Sequence, residues 1–256
     1  MPDQDREPSN GPAGPTPPEG QAAPRRERPF WLSFALNLIV ALVVISLVQA
    51  FVVKVFNVPS GSMEQTLNVG DRILVNRLAY TGSAPQTGDV VVFSAQGDWE
   101  PSREPSGGLR QAAEWFGDLT GIGPSSTHYL VKRVIGTPGD TVECCTAEGA
   151  VTVNGAPLDE PYVYNDYPFS PGVQDCTTPA RSARCFGPVR VGEGQYVVLG
   201  DHRANSADSV ISCRGRTKAE TCARTVEEEA VVGRVVLTMW PLGREGLDEN
   251  PAEGSG

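Results

Sequence analysis

Lysine and histidine are scarce. Among 256 residues, lysine occurs only at Lys54, Lys132 and Lys218, and histidine only at His128 and His202. Few side chains are therefore available as a nitrogen base near neutral pH. Several nucleophile and phosphate signatures are missing. The residue two before Ser62 is Ser60, so there is no Gly-x-Ser-x-Gly elbow. Phe51, Tyr129 and Gly215 stand three before the lysines, so there is no Ser-x-x-Lys. No Gly-Lys-Ser/Thr loop is present to cradle a phosphate. Cys-x-x-Cys is absent too, and no histidine is spaced to complete a zinc site. Positive charge is outnumbered: 21 Lys and Arg face 31 Asp and Glu, for a net charge of −10. That balance argues against a general nucleic-acid binder.

What is abundant is apolar sequence near the start. Residues 31–53, WLSFALNLIVALVVISLVQAFVV, contain no charge. At 1.5 Å per residue they span roughly 35 Å, enough to cross a bilayer. Arg25, Arg26 and Arg28 precede the run and only Lys54 closely follows it. The positive-inside rule then puts the N-terminus in the cytoplasm and the rest of the chain outside. A cleaved signal peptide is the rival, with Val48-Gln49-Ala50 as a faint cleavage site. The run is too long for a signal core and continues past that site, so a retained single-pass anchor in the cell membrane is expected. Residues 1–30 precede it; seven prolines within 1–24 and no apolar periodicity predict a disordered cytoplasmic tail.

All six cysteines follow the span: Cys144, Cys145, Cys176, Cys185, Cys213 and Cys222. An even count on the oxidising side predicts disulfides. The close pairs Cys176 with Cys185 and Cys213 with Cys222 suggest local bridges, leaving Cys144 and Cys145 as a vicinal pair or unpaired.

Residues 54–241 read as an all-β domain. Short β-like runs occur at 72–76 (RILVN), 90–93 (VVVF), 129–135 (YLVKRVI), 195–199 (QYVVL) and 231–238 (VVGRVVLT). Gly70-Asp71, Gly88-Asp89, Gly139-Asp140 and Gly200-Asp201 punctuate them as turns. Val151–Val153 with Asn154-Gly155 predicts a hairpin in a smaller inserted subregion. Insertions are expected near 96–127, 143–194 and 211–229. In the first, Leu109, Ala112, Ala113, Phe116 and Leu119 recur at helical spacing. Residues 242–256 form a polar tail.

Three segments carry chemistry. Pro59-Ser60-Gly61-Ser62-Met63 sets two hydroxyls around a glycine on a proline-fixed turn. By itself it also reads as an ordinary Ser/Gly turn. Lys132 sits inside an apolar strand whose alternation puts Leu130, Lys132 and Val134 on one face and Val131, Arg133 and Ile135 on the other. Desolvation there lowers a lysine pKa and frees a neutral amine, which arginine cannot supply. An edge-strand lysine in water is the alternative. Residues 200–209, GDHRANSADS, form a dense polar loop. Calcium is a rival reading, but Arg203 and Ala204 spoil an EF-hand-like spacing.

Together these blocks resemble bacterial type I signal peptidase, the leader peptidase. The matching segments run in order: VPSGSMEQTL (58–67), GDRILVNR (70–77), YLVKRVIGTPGD (129–140), GDHRANSADS (200–209) and VVGRV (231–235). The resemblance implies an antiparallel β catalytic domain behind one transmembrane helix, and removal of signal peptides from exported preproteins at the bilayer. It implies a Ser–Lys dyad, with Ser62 as nucleophile and Lys132 as general base. Ser60 and the Ser62 N–H would form the oxyanion hole, and Ser206 would orient Lys132. Arg133, Asp201, Arg203 and Asp208 would brace the site. Phe56, Val58, Pro59, Met63, Leu67, Leu130 and Val131 would line pockets for small side chains. It implies no cofactor and no metal. The sequence departs from the family at Gln65, where proline is usual, and at His202, Ala204 and Val210, where Asn, Asp and Arg are common. An arginine missing at Val210 takes away the usual partner of Asp208. The alternatives are a self-cleaving Ser–Lys protease of the same fold, a Ser-His-Asp hydrolase using His202 or His128, and a non-catalytic membrane-anchored β domain.

Overall fold

The computed structural model describes residues 30–99, 107–109, 111, 114, 117, 127–216 and 222–241. The expected tail at 1–30 apart from Phe30, which starts the first helix, the tail at 242–256, and the helical spacing over Ala112, Ala113, Phe116 and Leu119 lie outside them. Helix α1, Phe30–Phe51, is long and apolar enough to cross a membrane and buries none of its residues. The chain divides into two units inside this helix, between Ala41 and Leu42, and the second unit carries every strand described here.

The helix ends at Phe51, two residues before the expected span does. Strand β1, Val53–Asn57, starts where the span was expected to end, so the segment leading to Ser62 begins as a strand. The run VKVFN pairs antiparallel with β2, Arg72–Asn76. β2 alternates as its sequence demands: Ile73 and Val75 are fully buried while Arg72 is exposed. Next come β3, Val90–Ser94; β4, Tyr129–Gly136; β5, Thr141–Cys144; β6, Val151–Val153; β7, Ala156–Pro157; β8, Phe186–Arg190; β9, Gln195–Leu199; β10, Val226–Glu227; and β11, Val231–Trp240. A seven-stranded sheet has the order β1-β2-β11-β3-β4-β9-β10, and a four-stranded sheet the order β7-β6-β5-β8. All described pairings within both sheets are antiparallel. The smaller sheet contains the predicted Asn154-Gly155 hairpin.

The Gly-Asp dipeptides shape three of the turns by one device. Gly70, Gly88 and Gly139 have φ of 89°, 97° and 90°, which a side chain would strain. The aspartate that follows accepts the N–H three residues back: Asn68 to Asp71 at 2.8 Å, Gln86 to Asp89 at 3.1 Å and Thr137 to Asp140 at 2.8 Å. Such side-chain closure satisfies a backbone donor at the start of each turn. Bridges join Cys144 to Cys145, Cys176 to Cys185, and Cys213 to Cys222.

β4 is the seam of the larger sheet. Its Val131 packs in a core with Val58, Met63, Leu67 and Ile73. Val134 belongs to a second core with Phe93, Trp99 and Tyr196, and Ile135 to a third with Val142 and Phe186. β3 pairs along Tyr129–Arg133, whereas β9 joins the other edge only from Arg133 onward. The Tyr129–Lys132 stretch is thus paired by β3 on one side, ahead of the β9 register.

Candidate active site

The turn after β1 carries the candidate nucleophile. Gly61–Met63 forms a single 3-10 turn that tucks Ser62 and Met63 inward, while Ser60 stays exposed. From the middle of β4, Lys132 reaches the same point. Its Nζ lies 2.6 Å from Ser62 Oγ and 3.1 Å from its own neighbour's carbonyl, Val131 O. Ser62 is 6% exposed and Lys132 3%. Burial lowers the Lys132 pKa from 10.5 to about 8; Asp208 and Asp201 act against that shift and Arg224 with it. An ammonium loses hydration there that the protein only partly replaces, so the neutral amine becomes accessible. Ser60 Oγ stands 3.5 Å from Ser62 Oγ.

Of the two adjacent cations on β4, the alternation places one on each face, and both are buried. Arg133 is matched by a bidentate pair: Nε to Asp201 Oδ1 at 2.9 Å and Nη2 to Oδ2 at 2.7 Å. The Tyr162 ring lies 3.8 Å from its guanidinium.

The polar loop 200–209 closes over the turn. Gly200 is required by contact: a Cβ there would lie 2.3 Å from Ser206 Oγ and 2.5 Å from the Ser62 carbonyl oxygen. The His202 N–H donates to Ser62 O at 3.1 Å, and Thr66 Oγ1 donates to Asp201 Oδ2 at 2.6 Å. These bonds fasten the loop to Ser62 and to Thr66 just beyond its turn.

Several sequence expectations need correction. Ser206 does not bond Lys132: its buried Oγ has no hydrogen-bond partner among the described residues, although it packs beside Gly200 next to the site. Arg203 Nε donates to Gly200 O within the loop at 3.0 Å, and its ion-pair partner comes from outside. Arg203 is 2% exposed and forks onto Glu160, which the sequence reading missed. Asp208 is not left alone by Val210; Arg214 Nη2 pairs with its Oδ2 at 3.1 Å. A narrow cleft of ≈ 10 Å³ is lined by Val58, Pro59, Ser60, Ser62, Met63, Tyr129, Leu130 and Val131. Leu67 and Phe56 are not among these residues. Leu67 is fully buried in the core behind them, and Phe56 makes an edge contact with the Tyr129 ring at 4.9 Å. Tyr129 heads the strand that the sequence identifies, so strand alternation offered the clue. Glu160 and Arg214 sit in insertions without a motif.

The other chemistries fit less well. His202 Nδ1 meets Glu64 Oε2 at 2.8 Å and its Nε2 meets Asn165 Nδ2 at 3.1 Å, so both ring nitrogens are engaged away from Ser62 Oγ. His128 is exposed. Asp201 and Asp208, the carboxylates of the polar loop, both face arginines rather than an open cation site. The sulfurs of Cys145, Cys176 and Cys185 lie within 4.8 Å of one another, but each belongs to a disulfide and offers no thiolate.

A family model described as "Signal peptidase, peptidase S26" matches residues 31–240. A signal peptidase I of Mycobacterium tuberculosis (strain ATCC 25618 / H37Rv) is 35% identical over 86% of this chain and 77% of its own length. A probable signal peptidase I of Mycobacterium leprae is 33% identical over 89% of this chain and 82% of its own. The crystal structure of a signal peptidase I from Enterococcus faecalis V583 aligns with a TM-score of 0.32 and 24% identity, over 59% of this chain and 97% of that one.

Proposed function

This chain belongs to the signal peptidase family, peptidase S26, whose enzymes are serine endopeptidases that remove signal peptides, and we propose that it does so with Ser62 as nucleophile and neutral Lys132 as base. The observation that carries the reading is the 2.6 Å approach of Lys132 Nζ to Ser62 Oγ in a buried site. When the amine is neutral, the Ser62 O–H donates to its lone pair. Lys132 takes that proton as Oγ attacks the scissile carbonyl. Ser60 Oγ and the Ser62 N–H are the donors assigned to the developing oxyanion. The lysine ammonium then returns the proton to the leaving amine. In the second half a water, deprotonated by Lys132, hydrolyses the acyl-enzyme, as in other variants of the triad logic.

Substrate binding follows from the sheet edge. An extended peptide adds beside Tyr129–Lys132, with residues 58–60 on its other flank. Alternate side chains then point into the cleft lined by Val58, Met63 and Leu130. A cleft this small fits small side chains, hence small-x-small sites such as Ala-x-Ala.

The apolar helix fits a membrane anchor, in keeping with the family. In this reading residues 1–29 are cytoplasmic, α1 spans the bilayer once, and residues 54–241 act outside, at the lipid surface where signal peptides emerge.

The test is cleavage of a synthetic Ala-x-Ala signal peptide by the full chain in detergent. Ser62→Ala and Lys132→Arg are expected to abolish it, because arginine stays protonated. Full activity in Lys132→Arg refutes the base assignment.

A further inference from the structure

Asp208 is buried close to the candidate base, and its charge is balanced from an unexpected place. Val210, two residues on, is fully buried in an apolar core with Cys213 and supplies no cation. The chain instead makes a 3-10 turn at Ile211–Cys213 and presents Arg214, whose Nη2 meets Asp208 Oδ2 at 3.1 Å with side-chain exposures of 6% and 0%. The Tyr167 ring lies 4.8 Å from that guanidinium. A second arginine approaches from beyond the same loop. Arg224 Nε donates to the Asp208 carbonyl at 3.2 Å, its Nη1 donates to Asp98 O at 2.9 Å, and its guanidinium lies 3.9 Å from the Trp99 ring. The Cys213–Cys222 bridge closes the loop between them, next to Arg214 and two residues before Arg224.

We propose that Arg214 and Arg224, held by the Cys213–Cys222 bridge, are positioning residues that set the charge around the catalytic base: Arg214 by neutralising Asp208, Arg224 by adding a cation nearby. The proposal rests on the Ser62–Lys132 reading. The charged groups whose fields act on Lys132 are Asp208 and Asp201, which favour its ammonium, and Arg224, which opposes it. Asp201 is already matched by Arg133 on the other face of β4. Asp208 is therefore the carboxylate whose balance depends on the bridged loop. Removing Arg214 leaves a buried carboxylate with the Val210 N–H at 3.3 Å but without that cation, and it holds a proton on Lys132 to higher pH. Removing Arg224 acts in the same direction.

The experiment is the pH dependence of kcat/KM for Ala-x-Ala peptide cleavage by the full chain in detergent. Arg214→Gln and Arg224→Gln are each expected to move the acid limb up by about one pH unit, roughly a tenfold loss at a fixed pH on that limb. Asp208→Asn is expected to move it down, and Arg214→Gln combined with Asp208→Asn should follow Asp208→Asn, since Arg214 acts through that carboxylate. Arg214→Lys should restore the limb towards wild type. Breaking the bridge with Cys213→Ser and Cys222→Ser should move it up. If Arg214→Gln does not fold, the partly exposed Arg224 carries the test alone. An acid limb that stays in place in Arg224→Gln overturns the proposal. Should Lys132→Met also be inactive, only the proposal falls; an active Lys132→Met overturns the base assignment itself.

Discussion

Lys132→Met should stabilise the protein near neutral pH while destroying its activity. Methionine keeps an unbranched side chain of similar reach but carries no charge. The drop in the Lys132 pKa from 10.5 to about 8 corresponds to about 3 kcal/mol of disfavoured charging at a site only 3% exposed. Below pH 8 the lysine is protonated both folded and unfolded, so the whole cost is present. Between pH 8 and 10.5 the unfolded chain holds a proton that the folded chain has released, so this group makes stability rise with pH. Above 10.5 the cost is gone. The variant also loses the bond to Ser62, about 1 kcal/mol at any pH. The net gain is then about 2 kcal/mol at pH 7, turning into a loss of about 1 kcal/mol above pH 10.5. Thermal unfolding of both proteins in detergent, followed by circular dichroism from pH 6 to 11, checks this. A difference in stability that stays constant across that range would falsify the buried, weakened lysine.

Gly200→Ala should cost at least tenfold in kcat/KM, because its Cβ would press to 2.3 Å from Ser206 Oγ and 2.5 Å from the Ser62 carbonyl; steady-state kinetics showing wild-type activity would contradict the tight packing of the loop on the turn. Gln65 has φ of 73° and its N–H donates to Asn68 Oδ1 at 3.3 Å; proline allows neither, so Gln65→Pro should lower stability by more than about 1 kcal/mol, and an unchanged unfolding midpoint would exclude that backbone. Val58→Ala and Leu130→Ala should admit Val before the cut, with the discrimination against it reduced by about 1–3 kcal/mol. A series of Ala, Val and Leu substrates reads this directly, and an unchanged preference in both variants removes these residues from the pocket.

How much the sequence revealed depended on how far apart the cooperating residues lie. The strands at 72–76 and 195–199 were legible to the residue, because alternation and a Gly-Asp turn are both local signals. The pair Ser62 and Lys132 came from the resemblance, because a proline-fixed turn carrying two hydroxyls and a lysine inside an apolar strand are each ambiguous alone. β1 was hidden because its VKVFN continues the apolar run, and only pairing with β2 distinguishes strand from span. The electrostatic partners were hidden for a deeper reason. A motif says that Arg203 and Asp208 need opposite charges, but any of many carboxylates or guanidiniums could satisfy them. Glu160 comes from 43 positions before Arg203 and Arg214 from 6 positions after Asp208. Charge balance around a buried base constrains the sum of nearby charges more than their addresses. The arginine absent at Val210 could therefore be supplied four residues later, and Val210 could join the apolar core instead. A departure from a family motif at such a position argues for a search of the fold for the compensating group before it argues for lost function.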